Sequence, residues 1–130
     1  MATKGILHAV IPGPPASWQR ATVHGGRTLT PKGMRQAKAH ARAALAAAAL
    51  AGRWEPATGP VRLTLVFVRA RMPDAVPDVD NYSKLVCDCA NGVLWHDDAC
   101  VVELHAVKRR PGEGEAEQTI VTVERLEGER

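Results

Sequence analysis

The chain has 130 residues, a formal net charge of +3 and an aromatic content of only 4%. This length fits one domain, residues 1–130, with a modest core of Val, Leu, Ile and Ala, and it argues against a separate nucleic-acid-binding domain. All 14 acidic residues lie within 55–130, whereas residues 1–54 contain eight Lys or Arg and no acid. The N-terminal half is therefore predicted to bind a polyanion.

The N-terminal half is predicted to form a strand, a long loop and an alanine-rich helix. Residues 6–11 have the pattern of a strand, and the loop that follows, 12–30, is longer than most connections. The helix is predicted over 31–51, because Thr30-Pro31 supplies an N-cap and a proline at the first helical position. Its apolar side chains fall on one stripe, formed by Met34, Ala37, Ala41, Leu45 and Ala48.

Basic residues flank this stripe and continue into the preceding loop. A solvated helix face is the ordinary interpretation of such residues. The absence of any acid across 54 residues favours a surface for a polyanion instead, and two further arginines precede the acidic segment of the chain. The predicted contacts are Arg20, Arg27, Lys32, Arg35, Lys38, Arg42, Arg69 and Arg71.

The C-terminal half is predicted to contain three strands and a second helix. Residues 61–69 alternate apolar and polar side chains, and 100–109 and 117–125 also have the pattern of strands. The Pro-Gly-Glu-Gly-Glu turn at 111–115 predicts that the last two strands form a hairpin. The expected fold class is α+β, a single small domain with a mixed β-sheet packed by two main helices.

Carboxylates are concentrated between the 61–69 strand and the 100–109 strand. If a helix begins near Asp80, then Asp80, Lys84 and Asp88 are four residues apart in turn and share one face. A second pair, Asp97 and Asp98, is expected at the edge of a strand. Adjacent carboxylates repel one another, and hard oxygen ligands of this kind suit Mg²⁺ or Mn²⁺. A metal site is therefore predicted.

Each aspartate also has an ordinary structural interpretation. Asp80 fits a helix N-cap, Asp78 fits a turn after Pro77, and the pair Asp97-Asp98 fits a turn between strands. Trp95, in an apolar run, is predicted to pack in the core rather than to stack on a base. The concentration of acids in one segment favours the metal site over these alternatives.

The three cysteines have two interpretations. With no Cys-x-x-Cys motif, signal peptide or membrane-length apolar segment, they predict a reduced, cytoplasmic protein with no membrane partner. A zinc site is an alternative, but residues two apart on a helix point in nearly opposite directions, which favours buried structural cysteines. The potential zinc ligands are Cys87, Cys89, His96, Cys100 and His105.

The order of these motifs is similar to that of the RusA family of Holliday junction resolvases. The matching pattern is Pro77-Asp78-x-Asp80-Asn81, Lys84, Asp88, Asn91-Gly92 and then Trp95-x-Asp97-Asp98-Ala99. The resemblance covers residues 73–108 well and the first 45 residues more loosely. It implies catalytic roles for Asp78, Asp80, Lys84 and Asp98, and metal binding by Asp78, Asp80 and Asp98, with Asp97 and Asp88 as further candidates.

The resemblance also implies an activity. A RusA-like homodimer, bacterial or phage-encoded, would make paired symmetric nicks in four-way DNA junctions during recombination and repair. It would hydrolyse phosphodiester bonds with Mg²⁺, for which Mn²⁺ substitutes, and would need no organic cofactor. Two alternatives are a non-catalytic junction-binding architectural protein and a small metal-dependent phosphohydrolase. The basic N-terminal half and the lack of a Gly-rich nucleotide loop argue against the latter.

Overall fold

The computed structural model describes residues 5–16, 31–70 and 78–126, which form a four-stranded sheet and two helices. The side chains of residues 31 and 32 are also outside this description. The predicted α+β class with a mixed sheet and two helices is confirmed. In chain order the elements are β1 (Ile6–Pro12), α1 (Pro31–Ala51), β2 (Val61–Val68), α2 (Val79–Ala90), a 3₁₀ turn (Asp98–Cys100), β3 (Val101–Arg109) and β4 (Gln118–Arg125).

The strands are arranged in the order β1-β4-β2-β3. β4 is antiparallel to both β1 and β2, whereas β3 pairs with β2 in parallel after the crossover through α2. The predicted hairpin of the last two strands is therefore wrong. Residues 110–117 join β3 to β4 across the end of β2, a span of about 10 Å at the usual strand spacing, which a tight hairpin loop does not cover.

One face of the sheet is buried under both helices. Alternate residues of the central strand β2, from Val61 through Leu63 and Leu65 to Phe67, are fully buried, as their alternation predicts. They share a core with Leu45 of α1 and with side chains of α2. The shared core therefore fixes the positions of the two helices relative to the sheet and to each other.

Helix α1 begins and ends where the sequence predicts. Its apolar stripe packs on the core through Ala41 and Leu45, which are buried, and Met34 packs on the same core while partly exposed. Leu50, on the opposite side, is 81% exposed. Within the described chain, no helix is long and apolar enough to cross a bilayer.

The other face of the sheet carries no described element. The pairing register places Val10, Ile120, Val66 and Val107 side by side, in one row across all four strands. Val10 and Val107, at the two edges, are 47% and 52% exposed. We call this row the open-face row. It is an apolar surface with half-exposed ends.

The arginines of the open face are held by glutamates. Arg62 pairs with Glu103 and Glu124 on the two neighbouring strands. Arg109 contacts Glu115, and this guanidinium, followed by the N–H of Gly112, lowers the pKa of Glu115 to about 2. The charges on this side of the sheet therefore neutralise one another.

Candidate active site

The acidic segment enters α2 through Asp78. The Asp78 carbonyl accepts hydrogen bonds from the N–H groups of Asn81 and Tyr82, and its carboxylate makes no capping bond. Asp80 lies inside the first turn, so the alternative in which Asp80 caps the helix is wrong. Both aspartates are exposed, and their carboxylates are available to a ligand.

Helix α2 presents its charged residues on one face, as predicted. Asp80, Lys84 and Asp88 fall at four-residue intervals within Val79–Ala90, while Leu85 and Val86 pack into the core. At 1.5 Å per residue, Asp80 and Asp88 lie about 12 Å apart along the axis. The face is therefore a line of charges along the helix.

The second acid pair lies at the start of β3, close to the predicted position. Asp97 precedes the 3₁₀ turn Asp98–Cys100, its carbonyl accepts the Cys100 N–H, and its carboxylate makes no capping bond. Asp97 and Asp98 are both exposed. The turn leads from α2 into β3 and contacts the helix.

The 3₁₀ turn contacts α2, and the Cys87 thiol lies within reach of charges from both. Burial, followed by the charges of Asp98 and then Asp88, raises the pKa of Cys87 to about 11, whereas Lys84 opposes this change. Asp98 from the 3₁₀ turn and Asp88 from α2 thus act on the same point. The fold brings the two groups of acids, ten residues apart in sequence, to one side of the molecule.

The carboxylates of this segment are ligands of the kind that a hard divalent cation prefers, but within the described residues they do not form a complete metal site. Among residues 5–16, 31–70 and 78–126, no three His, Cys, Asp or Glu side chains are close enough to hold a metal ion. The ion pairs within the same ranges use glutamates, not the aspartates of this segment. Exposed carboxylate oxygens are ligands that fit Mg²⁺ or Mn²⁺.

The cysteines have partners in the protein. The Cys89 thiol, which is buried, donates to the Lys38 carbonyl at 3.5 Å, and the Cys100 thiol donates to the Ala57 carbonyl at 3.7 Å. Burial also raises the pKa of Cys89. These contacts support the interpretation of Cys89 and Cys100 as structural residues.

The predicted basic surface is described in part. Arg35 is exposed on α1 and Lys38 is partly exposed, while Arg69 is half-buried and donates to the Pro15 carbonyl at 3.3 Å. The remaining predicted contacts, apart from Arg42, have positions or side chains outside the described residues: Arg20, Arg27, Lys32 and Arg71.

Arg42 has a role that the sequence did not reveal. Its guanidinium donates to the carbonyls of Cys89 and Asn91, at 3.1 and 2.8 Å. It therefore satisfies carbonyl groups at the C-terminal end of α2, where a cation is also favourable. The sequence placed Asn91-Gly92 in the motif pattern after Asp88, but nothing in it marked Arg42 as a partner of Asn91.

Trp95 is fully buried, which confirms its prediction as a core residue. Its indole N–H donates to the Asn91 side chain at 2.9 Å. Sequence analysis assigned Asn91 no role. The signal was its place in the motif pattern, followed by Gly92 and four residues before Trp95.

Fold and site together define a small α+β protein with a basic helix beside an aspartate-and-lysine face. The family model described as endodeoxyribonuclease RusA matches residues 12–124. The chain therefore belongs to the RusA family of endodeoxyribonucleases, which confirms the predicted family and makes the protein a nuclease by class. The comparison with curated proteins finds no significant match.

Proposed function

We propose that this protein is a Holliday junction resolvase that makes paired symmetric nicks by Mg²⁺-dependent hydrolysis. The carrying observation is that, in a chain of this family, the 3₁₀ turn that begins at Asp98 contacts α2, the helix that bears Asp80, Lys84 and Asp88. Carboxylates from two segments of the chain lie on an exposed surface, where a phosphate can approach them from solvent.

The residues of this surface divide the chemistry between them. Asp78, Asp80 and Asp98 would hold Mg²⁺, with Asp97 and Asp88 as additional ligands. The bound ion would supply Lewis-acid polarisation of the phosphate and a nucleophile at neutral pH. Lys84, one turn from Asp80, would donate to the phosphate and stabilise the negative charge that develops on its oxygens.

The basic face of α1 would hold the arms of the junction. Arg35 and Lys38 lie on the helix that packs against α2, so phosphates bound there run beside the acidic face. Contacts of this kind position the duplex without reading its sequence. Selection of four-way junctions would then come from the shape of the DNA and the placement of its phosphates.

A homodimer would supply the second active site that paired cuts require. We propose that two copies pack through the open-face row. A four-residue apolar row with half-exposed ends favours burial, and Arg62 and Arg109 beside it are already held by glutamates. The open face is therefore better suited to a second copy of itself than to a polyanion.

Asp80→Asn tests the proposed chemistry. The change is nearly isosteric and removes one negative ligand, so we expect cleavage of a synthetic four-way junction to fall by at least about a hundredfold, the upper range for weakened metal sites. Junction binding should be kept or improved, because repulsion of phosphate decreases. The measurement is strand cleavage and gel-shift affinity with Mg²⁺ or EDTA, beside a linear duplex of matching sequence.

Glu113→Gln provides the control, because it removes one exposed acid from the turn between β3 and β4. It should cleave like the wild type. Junction binding by the wild type without cleavage under any metal tried would favour the architectural alternative. Hydrolysis of small phosphate esters without DNA cleavage would favour the small phosphohydrolase.

A further inference from the structure

Asn91 joins three parts of the molecule at the C-terminal end of α2. Its backbone carbonyl accepts a hydrogen bond from Arg42 of α1 at 2.8 Å. Its side-chain oxygen accepts one from Trp95 Nε1 at 2.9 Å. One residue thus links the basic helix, the helix of the catalytic face and the segment that leads to Asp97 and Asp98.

The bond between Asn91 and Trp95 closes the turn that separates the two groups of acids. Gly92 has a φ of 82°, which favours glycine, and its N–H donates to the Trp95 carbonyl at 2.7 Å. Trp95 is fully buried, and Asp98 is three residues further on. If the ring shifted, its buried N–H and the Asn91 oxygen would lose their partners, which is unfavourable.

Other contacts of the same segment lead away from α2. The His96 N–H donates to the Ala57 carbonyl, and the Ala57 N–H donates to the Leu94 carbonyl, each at 3.0 Å. Trp54 Nε1 also donates to the Leu94 carbonyl, at 2.9 Å. These bonds hold the segment to the chain before β2. The Val93 and Leu94 N–H groups donate to the Ala90 carbonyl at the end of α2, each at 2.9 Å, and the Asn91–Trp95 bond adds a side-chain link from the C-cap of α2 to Trp95, two residues before Asp97.

We propose that Asn91 and Trp95 are positioning residues that fix the distance between the aspartates of α2 and the Asp97–Asp98 pair. The proposal rests on the proposed function, in which both groups serve one active site. The indole of Trp95 is fully buried and does not meet a substrate, so Trp95 acts through Asp97 and Asp98. Arg42 supports the arrangement by holding the Asn91 backbone.

Trp95→Phe is the direct test, with Trp54→Phe as its matched control. Both changes remove an indole N–H from a buried ring bonded at 2.9 Å, but only the Trp95 indole bonds to the C-cap residue of α2. We expect Trp95→Phe to weaken Mn²⁺ binding about tenfold or more, the usual effect of residues that orient metal ligands. Mn²⁺ binding is measured without DNA by electron paramagnetic resonance of the unbound ion.

Three further readouts separate positioning from loss of structure. Trp95→Phe should raise the Mg²⁺ concentration needed for half-maximal cleavage by a similar factor, while junction binding in EDTA stays within about twofold of wild type. Trp54→Phe should lose similar thermal stability yet keep wild-type Mn²⁺ affinity. Asn91→Ala, which removes the acceptor, should reproduce the Trp95→Phe defect, and the double variant should be no worse than either single change.

Equal Mn²⁺ affinity in wild type, Trp95→Phe and Asn91→Ala would overturn the inference, as would equal loss in Trp95→Phe and Trp54→Phe. If Trp95→Phe does not fold, Asn91→Ala decides alone, because its side chain is only partly buried. A wild type that neither binds Mn²⁺ nor cleaves junctions would instead overturn the proposed function.

Discussion

Leu45 and Leu50 show how position on one helix determines how much a side chain contributes to the free energy of unfolding. Leu45 is fully buried between α1 and the sheet, whereas Leu50 is 81% exposed. We expect Leu45→Ala to lower the free energy of unfolding by about 2–5 kcal/mol, because it removes apolar contacts and leaves a cavity. Leu50→Ala should change it by less than about 0.5 kcal/mol.

Urea unfolding followed by circular dichroism measures both leucine variants. Similar midpoints for Leu45→Ala and Leu50→Ala would contradict the observed packing of α1. Because neither leucine belongs to the acidic face, folded samples of both variants should retain the metal dependence of the wild type.

Sequence analysis predicted the burial of single residues better than it predicted their hydrogen-bond partners. The 3.6-residue period of α1 identified Leu45, and the apolar run around Trp95 identified a core residue. The partners of Arg42 could not be found in the same way, because they are backbone carbonyls 47 and 49 residues away. A long side chain with a charged head reaches many positions, and only the packing of α1 on α2 selects one.

At the scale of elements, local signals located the helices and strands but not their pairing. Thr30-Pro31 marked the start of α1, and alternation identified β2. The hairpin prediction failed because the turn at 111–115 shows where the chain reverses but not which strands pair, and the parallel crossover through α2 places β3 beyond β2. The approach of Asp98 to α2 depends on that crossover, so the site could be predicted as a set of residues but not as an arrangement.

Helix α1 gives a prediction at this scale. Arg35→Ala combined with Lys38→Ala should weaken junction binding and reduce the slope of log affinity against log salt by about 2, because two phosphate contacts are lost. The double change should leave the Mg²⁺ requirement of the remaining cleavage unaltered. The measurement is junction affinity at several salt concentrations.

A control removes the same formal charge elsewhere. Lys108→Ala combined with Arg110→Ala acts at the end of β3, on the opposite edge of the sheet from β1, which α1 contacts. Its salt slope should stay near that of the wild type. Equal slopes for both double variants would mean that net charge, rather than the face of α1, determines binding.

At the scale of the whole molecule, different surfaces differ in charge and polarity. The first 54 positions contain eight basic residues and no acid. The aspartates of the candidate site lie at α2 and at the start of β3. The open-face row is apolar, and the arginines beside it are paired with glutamates. Composition predicted the first of these surfaces and motif spacing the second. The third required the strand register, since Val10, Val66, Val107 and Ile120 are distant in sequence.

Val107→Glu tests the open-face row as a dimer interface. A buried carboxylate without a partner is strongly unfavourable, so the variant should sediment with the 14.0 kDa mass of one chain under conditions in which the wild type sediments at twice that mass. Val107 is 52% exposed, so the monomer itself should fold. In analytical ultracentrifugation, Leu50→Glu, which puts the same charge on an exposed site of α1, should remain dimeric.

The same variant connects assembly to paired cutting. A monomer carries one acidic face, so Val107→Glu should nick one strand of a four-way junction at a time and lose the coordinated cut in the opposing strand. A cruciform plasmid distinguishes the two results, because paired cuts within one binding event give linear DNA and single cuts give nicked circles. If the variant is shown to be monomeric and still gives linear product at the wild-type rate, paired cleavage does not depend on the open-face row.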